Sequence, residues 1–192
     1  TVLFIIYLNY RMNSGEVYNI MDGDKLTETV NGIDKSAEYV DDIVDAIVQS
    51  CCSELDQYIT YVKGLLDDVN TPIQDVELDD IILTIPTLLY FAGNSQESLG
   101  IREDVAKLDE TNRYNTYFMA SSGSTAALRQ AYAKLQVQNE SLATLVYQRA
   151  CKKVKLRCDY ALEILQSTKK ILSRRMTEME LSRSSPNKNQ SQ

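Results

Sequence analysis

From Thr125 to about Leu181 the chain contains neither glycine nor proline, the two residues that most often end a helix. Its apolar residues recur three or four positions apart, which is typical of one face of an α-helix. They are Leu128, Ala131, Tyr132, Leu135, Leu142, Leu145, Val146, Ala150, Val154, Ala161, Ile164, Leu165, Ile171, Leu172, Met176 and Met179. A helix of about 55 residues would extend roughly 80 Å. We therefore expect it either to kink or to pack against another chain, and we expect a homo-oligomer.

The whole chain is equally poor in residues that interrupt helices, with 7 glycines and 3 prolines in 192 residues. A sandwich or barrel would need turns far more often, so the sequence predicts an all-α fold: a helical hairpin or bundle with one very long C-terminal helix. Histidine is absent. This removes the commonest general base and metal ligand, so we expect no enzymatic activity, no catalytic residue and no cofactor.

Three further helices are predicted before the long one. The first covers Lys35 to Leu66, where apolar residues follow the helical repeat and the opposite face is acidic. A shorter second helix is predicted from about Val76 to Thr84, interrupted near Pro86 and ended by Gly93 and Asn94. Asn94 or Ser95 then caps a third helix. That helix is expected to end in the corner 121–125, which folds the chain back as an αα-hairpin.

A metal site is not expected. The four cysteines, Cys51, Cys52, Cys151 and Cys158, include no C-x-x-C pair, and free buried or half-buried thiols in a reducing compartment fit them best. Paired carboxylates on the first helix suggest a metal or acid–base site, but a solvated face is the preferred interpretation. The segment LLDDVNTPIQDVELDD lacks the spacing of a calcium loop.

Four regions follow from these patterns. Residues 1–11 are interpreted as upstream or fragment sequence, with a short membrane-associating tag as the alternative. Residues 12–84 form an acidic helical region, residues 85–181 the hairpin with its long basic helix, and residues 182–192 a polar tail expected to be disordered. We expect a cytoplasmic protein, located in the host cytoplasm if a phage encodes it, without membrane contact.

The charge is divided unevenly between the two ends. Residues 1–120 carry 7 lysines and arginines against 22 aspartates and glutamates, whereas residues 121–192 carry 13 against 5. Such asymmetry indicates that the basic part contacts a polyanion or a membrane, or that acidic and basic parts associate. The candidate nucleic-acid-binding residues are Arg149, Lys152, Lys153, Lys155, Arg157, Lys169, Lys170 and Arg174, with Tyr114 and Tyr117 as candidates for stacking on bases.

Three interpretations of the basic helix remain open. Its cations neutralise nucleic-acid phosphates, or the acidic N-terminal half docks against it within or between chains, or it lies on a membrane. The membrane interpretation is disfavoured because the apolar stripe lacks bulky phenylalanine and tryptophan. Tyr114, Tyr117 and Phe118, beside Arg113, either stack on single-stranded bases or fill the core of the hairpin.

The segments IPTLLYFAGNSQESLGIREDVAKLDETNRYNTYFMASSG and KLQVQNESLATLVYQRACKKVKLRCDYALEILQSTKKIL resemble the phage recombination mediators of the UvsY family. The resemblance covers about residues 85–172 and lies in the order of the helices and in the aromatic pair, Tyr114 and Tyr117, before the corner. It implies a small, helical, oligomeric protein that binds single-stranded DNA. It also implies that the protein helps to load a recombinase onto strands coated with single-strand-binding protein.

The leading hypothesis is therefore a phage-type recombination or replication accessory that binds single-stranded DNA through its basic helix. The alternative is a structural protein of a virion or other assembly, in which the long helix is a coiled-coil spine and nucleic acid is not bound.

Overall fold

The computed structural model describes residues 23–67 and 72–184, and in these ranges the only regular elements are four α-helices. They are α1 (Gly23–Asp67), α2 (Asp75–Ala120), α3 (Ala126–Gln136) and α4 (Gln138–Ser184). The predicted all-α fold is confirmed. Residues 1–11, which were interpreted as upstream or fragment sequence, lie outside the described residues. Residues 185–192 of the predicted tail also lie outside them. Residues 182–184 of that tail are helical, because α4 continues to Ser184.

Helix α1 begins twelve positions before the predicted Lys35 and ends one residue after the predicted Leu66. The chain divides at Tyr39 into two units, Thr1–Tyr39 and Val40–Gln192, and α1 contributes to both. In the first unit, every side chain described from Leu26 to Tyr39 is exposed. In the second unit, α1 buries an amphipathic stripe at helical spacing: Val44, Val48, Cys52, Leu55 and Val62.

Helix α2 is continuous from Asp75 to Ala120, so the predicted break near Pro86 and the predicted second break at Gly93 and Asn94 are wrong. Pro86 lacks the backbone N–H that would bond the carbonyl four residues earlier, which ordinarily costs about 3 kcal/mol in a helix interior. Its ring, however, lies on the exposed side of α2, directly beside the fully buried Ile85. Water can solvate the freed carbonyl there, while burial of the opposite face holds the helix together.

The predicted corner at 121–125 is confirmed as a non-helical connection. Thr125 caps α3 by accepting a hydrogen bond from the backbone N–H of Leu128 at its hydroxyl oxygen, 3.2 Å away. The expected kink in the long helix is also present, at Val137, whose backbone leaves the helical conformation (φ −102°, ψ 18°) between α3 and α4. Val137 is buried, so packing fixes the position of this kink.

The directions of the helices follow from their contacts. Arg113 of α2 pairs with Glu140 of α4, while Asp75 at the other end of α2 pairs with Arg175, so α2 and α4 are antiparallel. Asp41 and Asp56 of α1 pair with Lys153 and Arg157, so α1 runs parallel to α4. Helices α1, α2 and α4 therefore form an up-down-up bundle.

The core lies where these three helices run together. Among the described residues, fourteen buried ones form one cluster. They come from all three helices: Val44, Val48, Cys52, Leu55, Val62, Ile81, Ile85, Ala92, Leu99, Val146, Ala150, Val154, Ala161 and Leu165. At one end of the bundle Tyr58 of α1 donates a hydrogen bond from its hydroxyl to Asp80 Oδ2 of α2, at 2.7 Å. Burial and this bond raise the pKa of Tyr58 to about 12.

The predicted regional boundary between residues 84 and 85 falls inside α2, which passes through it without interruption. Residues 40–67 of the acidic region are part of the same unit as the hairpin. The acidic segment and the basic helix therefore share one core in this unit, which explains where many of their charges lie.

Candidate nucleic-acid interface

Lys153 of α4 lies between two carboxylates of α1. Its Nζ donates hydrogen bonds to Asp41 Oδ1 at 2.7 Å and to Asp45 Oδ1 at 2.8 Å. These bonds raise the pKa of Lys153 above its ordinary value. The two aspartates are one helical turn apart, so both reach the same ammonium group. Two negative charges therefore surround a cation that the sequence had suggested for phosphate binding.

Two more arginines of α4 pair with acidic residues of the other helices. Arg157 Nη1 lies 2.7 Å from Asp56 Oδ2 of α1, and each of these side chains is about one-third exposed. Arg175 Nη1 donates to Asp75 Oδ1 of α2 at 2.7 Å. The interpretation in which the acidic half docks against the basic helix is thus realised within the chain, at Lys153, Arg157 and Arg175.

Arg174 is different, because its partner belongs to its own helix. Its Nε donates to Glu178 Oε1 at 2.8 Å, one turn further along α4. Its side chain is 81% exposed, so water screens the pair strongly and the guanidinium remains accessible to other anions.

Five of the sequence-predicted cations of α4 are exposed and form no salt bridge with residues 23–67 or 72–184. We call them the cationic face: Arg149, Lys152, Lys155, Lys169 and Lys170. Four of the five, Arg149, Lys152, Lys155 and Lys170, point away from the buried stripe of Ala150, Val154 and Ala161, and Lys169 lies near its edge, about 60° from Val154. The exposed Asp159 and Glu163 lie between the groups 149–155 and 169–170. The cationic face is therefore two positive clusters separated by two carboxylates.

Tyr160 also lies on the exposed side of α4, between the two clusters, with 57% of its surface accessible. It was missed as a stacking candidate from sequence. Projection at 100° per residue places it only about 20° from Arg149, and this signal was available. An exposed aromatic ring on a surface that also carries cations is a combination used to bind single-stranded nucleic acid.

The structure does not bring Tyr114 and Tyr117 to the cationic face. Both are half-buried near the corner end of α2, where Tyr114 stacks on Phe118 with ring centroids 6.3 Å apart. The guanidinium of Arg129, from α3, lies over the ring of Phe118, 5.5 Å from the ring centroid. This arrangement matches the interpretation in which the aromatic residues fill the hairpin.

Tyr114 also lines a groove beside the kink at Val137. Two lysines that the sequence analysis did not select, Lys107 and Lys134, line it together with Glu110, Thr111 and Ser141. Lys107 is held by Glu103 at 2.6 Å, and Ser141 donates to Glu110 at 2.6 Å. The groove is thus mixed in charge, unlike the cationic face.

Neighbouring Arg113 is also compensated. It pairs with Asp109 and Glu140, each at 3.0 Å, and the hydrogen bond to Asp109 raises its pKa. Arg149 lies nine residues along α4 from Glu140, which is roughly 13 Å at 1.5 Å per residue. The tyrosines near Arg113 and the cationic face are therefore separate regions.

All four cysteines are free thiols packed in or against the core between α1 and α4. Burial raises the pKa of Cys52 to about 11, and burial also raises the pKa of Cys151 and of Cys158. Protonated thiols are poor nucleophiles and poor metal ligands. Throughout the described part of the chain, no group of three or more cysteine, aspartate or glutamate side chains is arranged to hold a metal ion.

Comparison of the chain with protein-family models, with curated proteins and with solved structures finds no match. Among the helices of residues 23–67 and 72–184, none combines the length and the apolar character that crossing a bilayer requires.

Proposed function

We propose that this protein is a recombination or replication accessory that binds single-stranded DNA through the cationic face of α4. The observation that carries the proposal is the division of the basic residues into two groups. Lys153, Arg157 and Arg175 are neutralised by aspartates of the same chain. The five residues of the cationic face form no salt bridge with the described residues, although Lys152 is near enough to Glu103 to help lower the pKa of that carboxyl, and all five are exposed to phosphates.

A single strand suits this surface better than a duplex. Lysines and arginines on one helix face bind phosphates without regard to sequence. Tyr160, exposed between the two positive clusters, can stack on a base that is free of its complement. A duplex hides its base faces and offers nothing to this ring.

The further proposal, that the protein helps to load a recombinase onto strands coated with single-strand-binding protein, rests on the resemblance of residues 85–172 to recombination mediators. Binding of the single strand is the part that the surface of α4 supports directly. Loading of a recombinase is the further step that a binding-competent protein would permit.

The test is a fluorescence-anisotropy titration of a labelled single-stranded oligonucleotide, with a duplex of the same sequence as control. Five phosphate contacts predict a slope of about −3.5 in log K against log salt for a single strand. Affinity should then fall roughly a hundredfold between 50 and 200 mM salt. Absence of single-strand binding at low salt would refute the proposal.

A variant with Gln at Arg149, Lys152, Lys155, Lys169 and Lys170 should lose binding and keep its helical spectrum. The matched control is Lys35→Gln with Lys63→Gln, since both of these lysines are exposed cations of α1. This control should bind normally. Tyr160→Ala should weaken single-strand binding by roughly 1–3 kcal/mol, whereas Tyr160→Phe should preserve it.

One observation favours the alternative of a structural assembly protein. Many large apolar side chains of α2, α3 and α4 are exposed, among them Met119 at 80% and Leu83 at 74%. Extensive exposed apolar surface is typical of proteins that associate. If the chain forms large oligomers and the five-residue variant changes assembly instead of DNA binding, this alternative is the correct one.

A further inference from the structure

The buried seam of α2 follows a seven-residue repeat. Leu78, Ile85, Ala92 and Leu99 are each 0–2% exposed and lie seven residues apart, as in a coiled coil. A second row with the same spacing begins at the buried Ile81 and continues through 88 and 95. Beyond Leu99 the first row continues through Ala106. The second row continues through Arg102 and Asp109. The seam thus continues along α2 past the last buried residue of that helix.

At this level an open groove lies between α2 and α4. It has a volume of about 540 Å³. Its walls are formed by two helical faces: Ile101, Arg102, Val105, Ala106 and Asp109 of α2, and Asn139, Glu140, Ala143 and Tyr147 of α4. We call it the hairpin groove. Ile101 and Val105 are 59% and 61% exposed, although they border the continuation of a core seam.

We propose that the hairpin groove is the interface with a second copy of this chain, related by a two-fold axis that passes close to the peptide between Val105 and Ala106. In such an interface the α2 helices of the two copies lie antiparallel. In a two-fold interface every contact occurs twice: if one residue of the first copy contacts a second residue of the other copy, the same two residues also meet with the copies exchanged. The two grooves then close into a four-helix arrangement at this end of the hairpins.

Charge complementarity selects a second copy as the occupant. Arg102 and Asp109 have opposite charges and lie symmetrically on either side of the Val105–Ala106 peptide. When two α2 helices are antiparallel about that point, Arg102 of each copy faces Asp109 of the other. The interface therefore contains two identical ion pairs flanking an apolar centre, which is the usual layout of a specific interface.

The present contacts leave both residues able to form this pair. Arg102 makes no salt bridge with residues 23–67 or 72–184. Asp109 receives Arg113 at Oδ2, at 3.0 Å, and its other carboxylate oxygen can accept a second guanidinium. Ala106 and Ala143 are small, so they allow the helices of the second copy to approach the groove.

The two-fold relation permits a decisive test by charge reversal, read out as mass in solution by light scattering after size exclusion and by sedimentation equilibrium. The unaltered chain should be a dimer. In Arg102→Glu, two acidic residues face each other, and in Asp109→Arg two basic residues do. Each variant alone should weaken self-association roughly a hundredfold or more. An equimolar mixture should restore dimers, because the mixed pair contains only opposite charges across the interface.

The control is Asp104→Arg, since the Asp104 side chain is 81% exposed on α2 and does not line the groove. This variant should dimerise normally, and circular dichroism should show unchanged helix content in all variants. A monomeric unaltered chain at every concentration would overturn the proposal. Single variants that remain dimeric, or a mixture that does not recover, would overturn it too. DNA binding is measured separately, so the fate of this interface does not decide the proposed function.

Discussion

Two parts of the same hairpin differ in how well they cover the apolar residues that border the seam between the helices. Where α1 lies beside α2 and α4, the facing side chains are buried: Ile85, Val154 and Ala161 are each 0% exposed. Toward the corner, α2 and α4 are accompanied by the short α3, and there Val105 and Leu108 are each 61% exposed. The amino-acid types are similar in the two parts. What differs is the presence of a third helix long enough to close the bundle.

The comparison teaches that an apolar residue in this chain does not by itself signify core. Two helices cover only one side of each other, so part of each apolar face stays exposed until another helix closes it. In the three-helix part that helix is α1. At the corner end, the proposed second copy would take the same place.

The largest expected effect comes from comparing two leucines of α2. Leu99 is 2% exposed in the three-helix part, and Leu108 is 61% exposed toward the corner. Leu99→Ala should reduce the free energy of unfolding by about 2–5 kcal/mol, because it removes buried methyl groups and leaves a cavity. Leu108→Ala should change it by no more than about 0.5 kcal/mol. Urea denaturation of both variants measures the difference, and equal losses would contradict the comparison.

A second test uses the pH dependence of stability at Cys52. Burial in the three-helix part raises the pKa of this thiol from 9.0 to about 11. Between these pH values the unfolded thiol loses its proton while the folded one keeps it, so stability decreases as the pH rises. The expected loss is about 2–3 kcal/mol.

Thermal or urea unfolding at pH 8 and at pH 11 measures this loss. In Cys52→Ala the fall should be smaller by that amount, since the group that titrates is gone. An identical pH profile for the variant would show that Cys52 is not responsible. Tyr58, with its pKa raised from 10.0 to about 12, adds a loss that begins near pH 10 in both proteins, so it cancels when the two profiles are subtracted.

A third prediction concerns Pro86, which the three-helix part accommodates inside α2, in the first third of the helix. Pro86→Ala restores a backbone N–H donor and removes the clash of the ring with the preceding turn. The gain is offset in part because alanine makes the unfolded chain more flexible. We expect the variant to be more stable by about 1–2 kcal/mol. A decrease in the denaturation midpoint would mean that the local geometry of α2 depends on the proline.

The smallest expected effect separates two ion pairs of α4. Arg157 and Asp56 join different helices and are each about one-third exposed, whereas Arg174 and Glu178 lie on one helix and are 81% and 59% exposed. A double-mutant cycle with Gln and Asn replacements should give a coupling of about 1 kcal/mol for Arg157–Asp56. It should give about 0.3–0.5 kcal/mol for Arg174–Glu178. High salt should reduce the second value more than the first.

Several features of the fold were predictable because they depend on local sequence. The scarcity of glycine and proline and the helical spacing of apolar residues led to the all-α fold, the corner at 121–125 and the kinked long helix. The predicted breaks at Pro86 and Gly93 failed for a reason that local sequence does not contain. Their cost is outweighed by burial of Ile81, Ile85, Ala92 and Leu99 on the opposite side of α2.

The candidate nucleic-acid interface likewise has features that local sequence predicted and features that only packing decided. The list of cations on α4 came from the sequence, and five of them are exposed without an ion pair to any described residue. The sequence did not indicate that Lys153, Arg157 and Arg175 face aspartates more than ninety residues away in the chain. Tyr114 and Tyr117 were proposed as stacking residues because they lie beside Arg113 and match the aromatic pair of the resemblance, but packing at the corner keeps them apart from the cationic face.

The sequence by itself determined that the chain is helical, where its corner lies and which of its ends is acidic or basic, because these properties depend on neighbouring residues. The tertiary structure decided which cations are neutralised, which thiols are buried and which apolar residues lack cover. These properties depend on the residues that another helix brings close. A short-range pattern fixes the faces of a helix, but only packing decides what lies against each face.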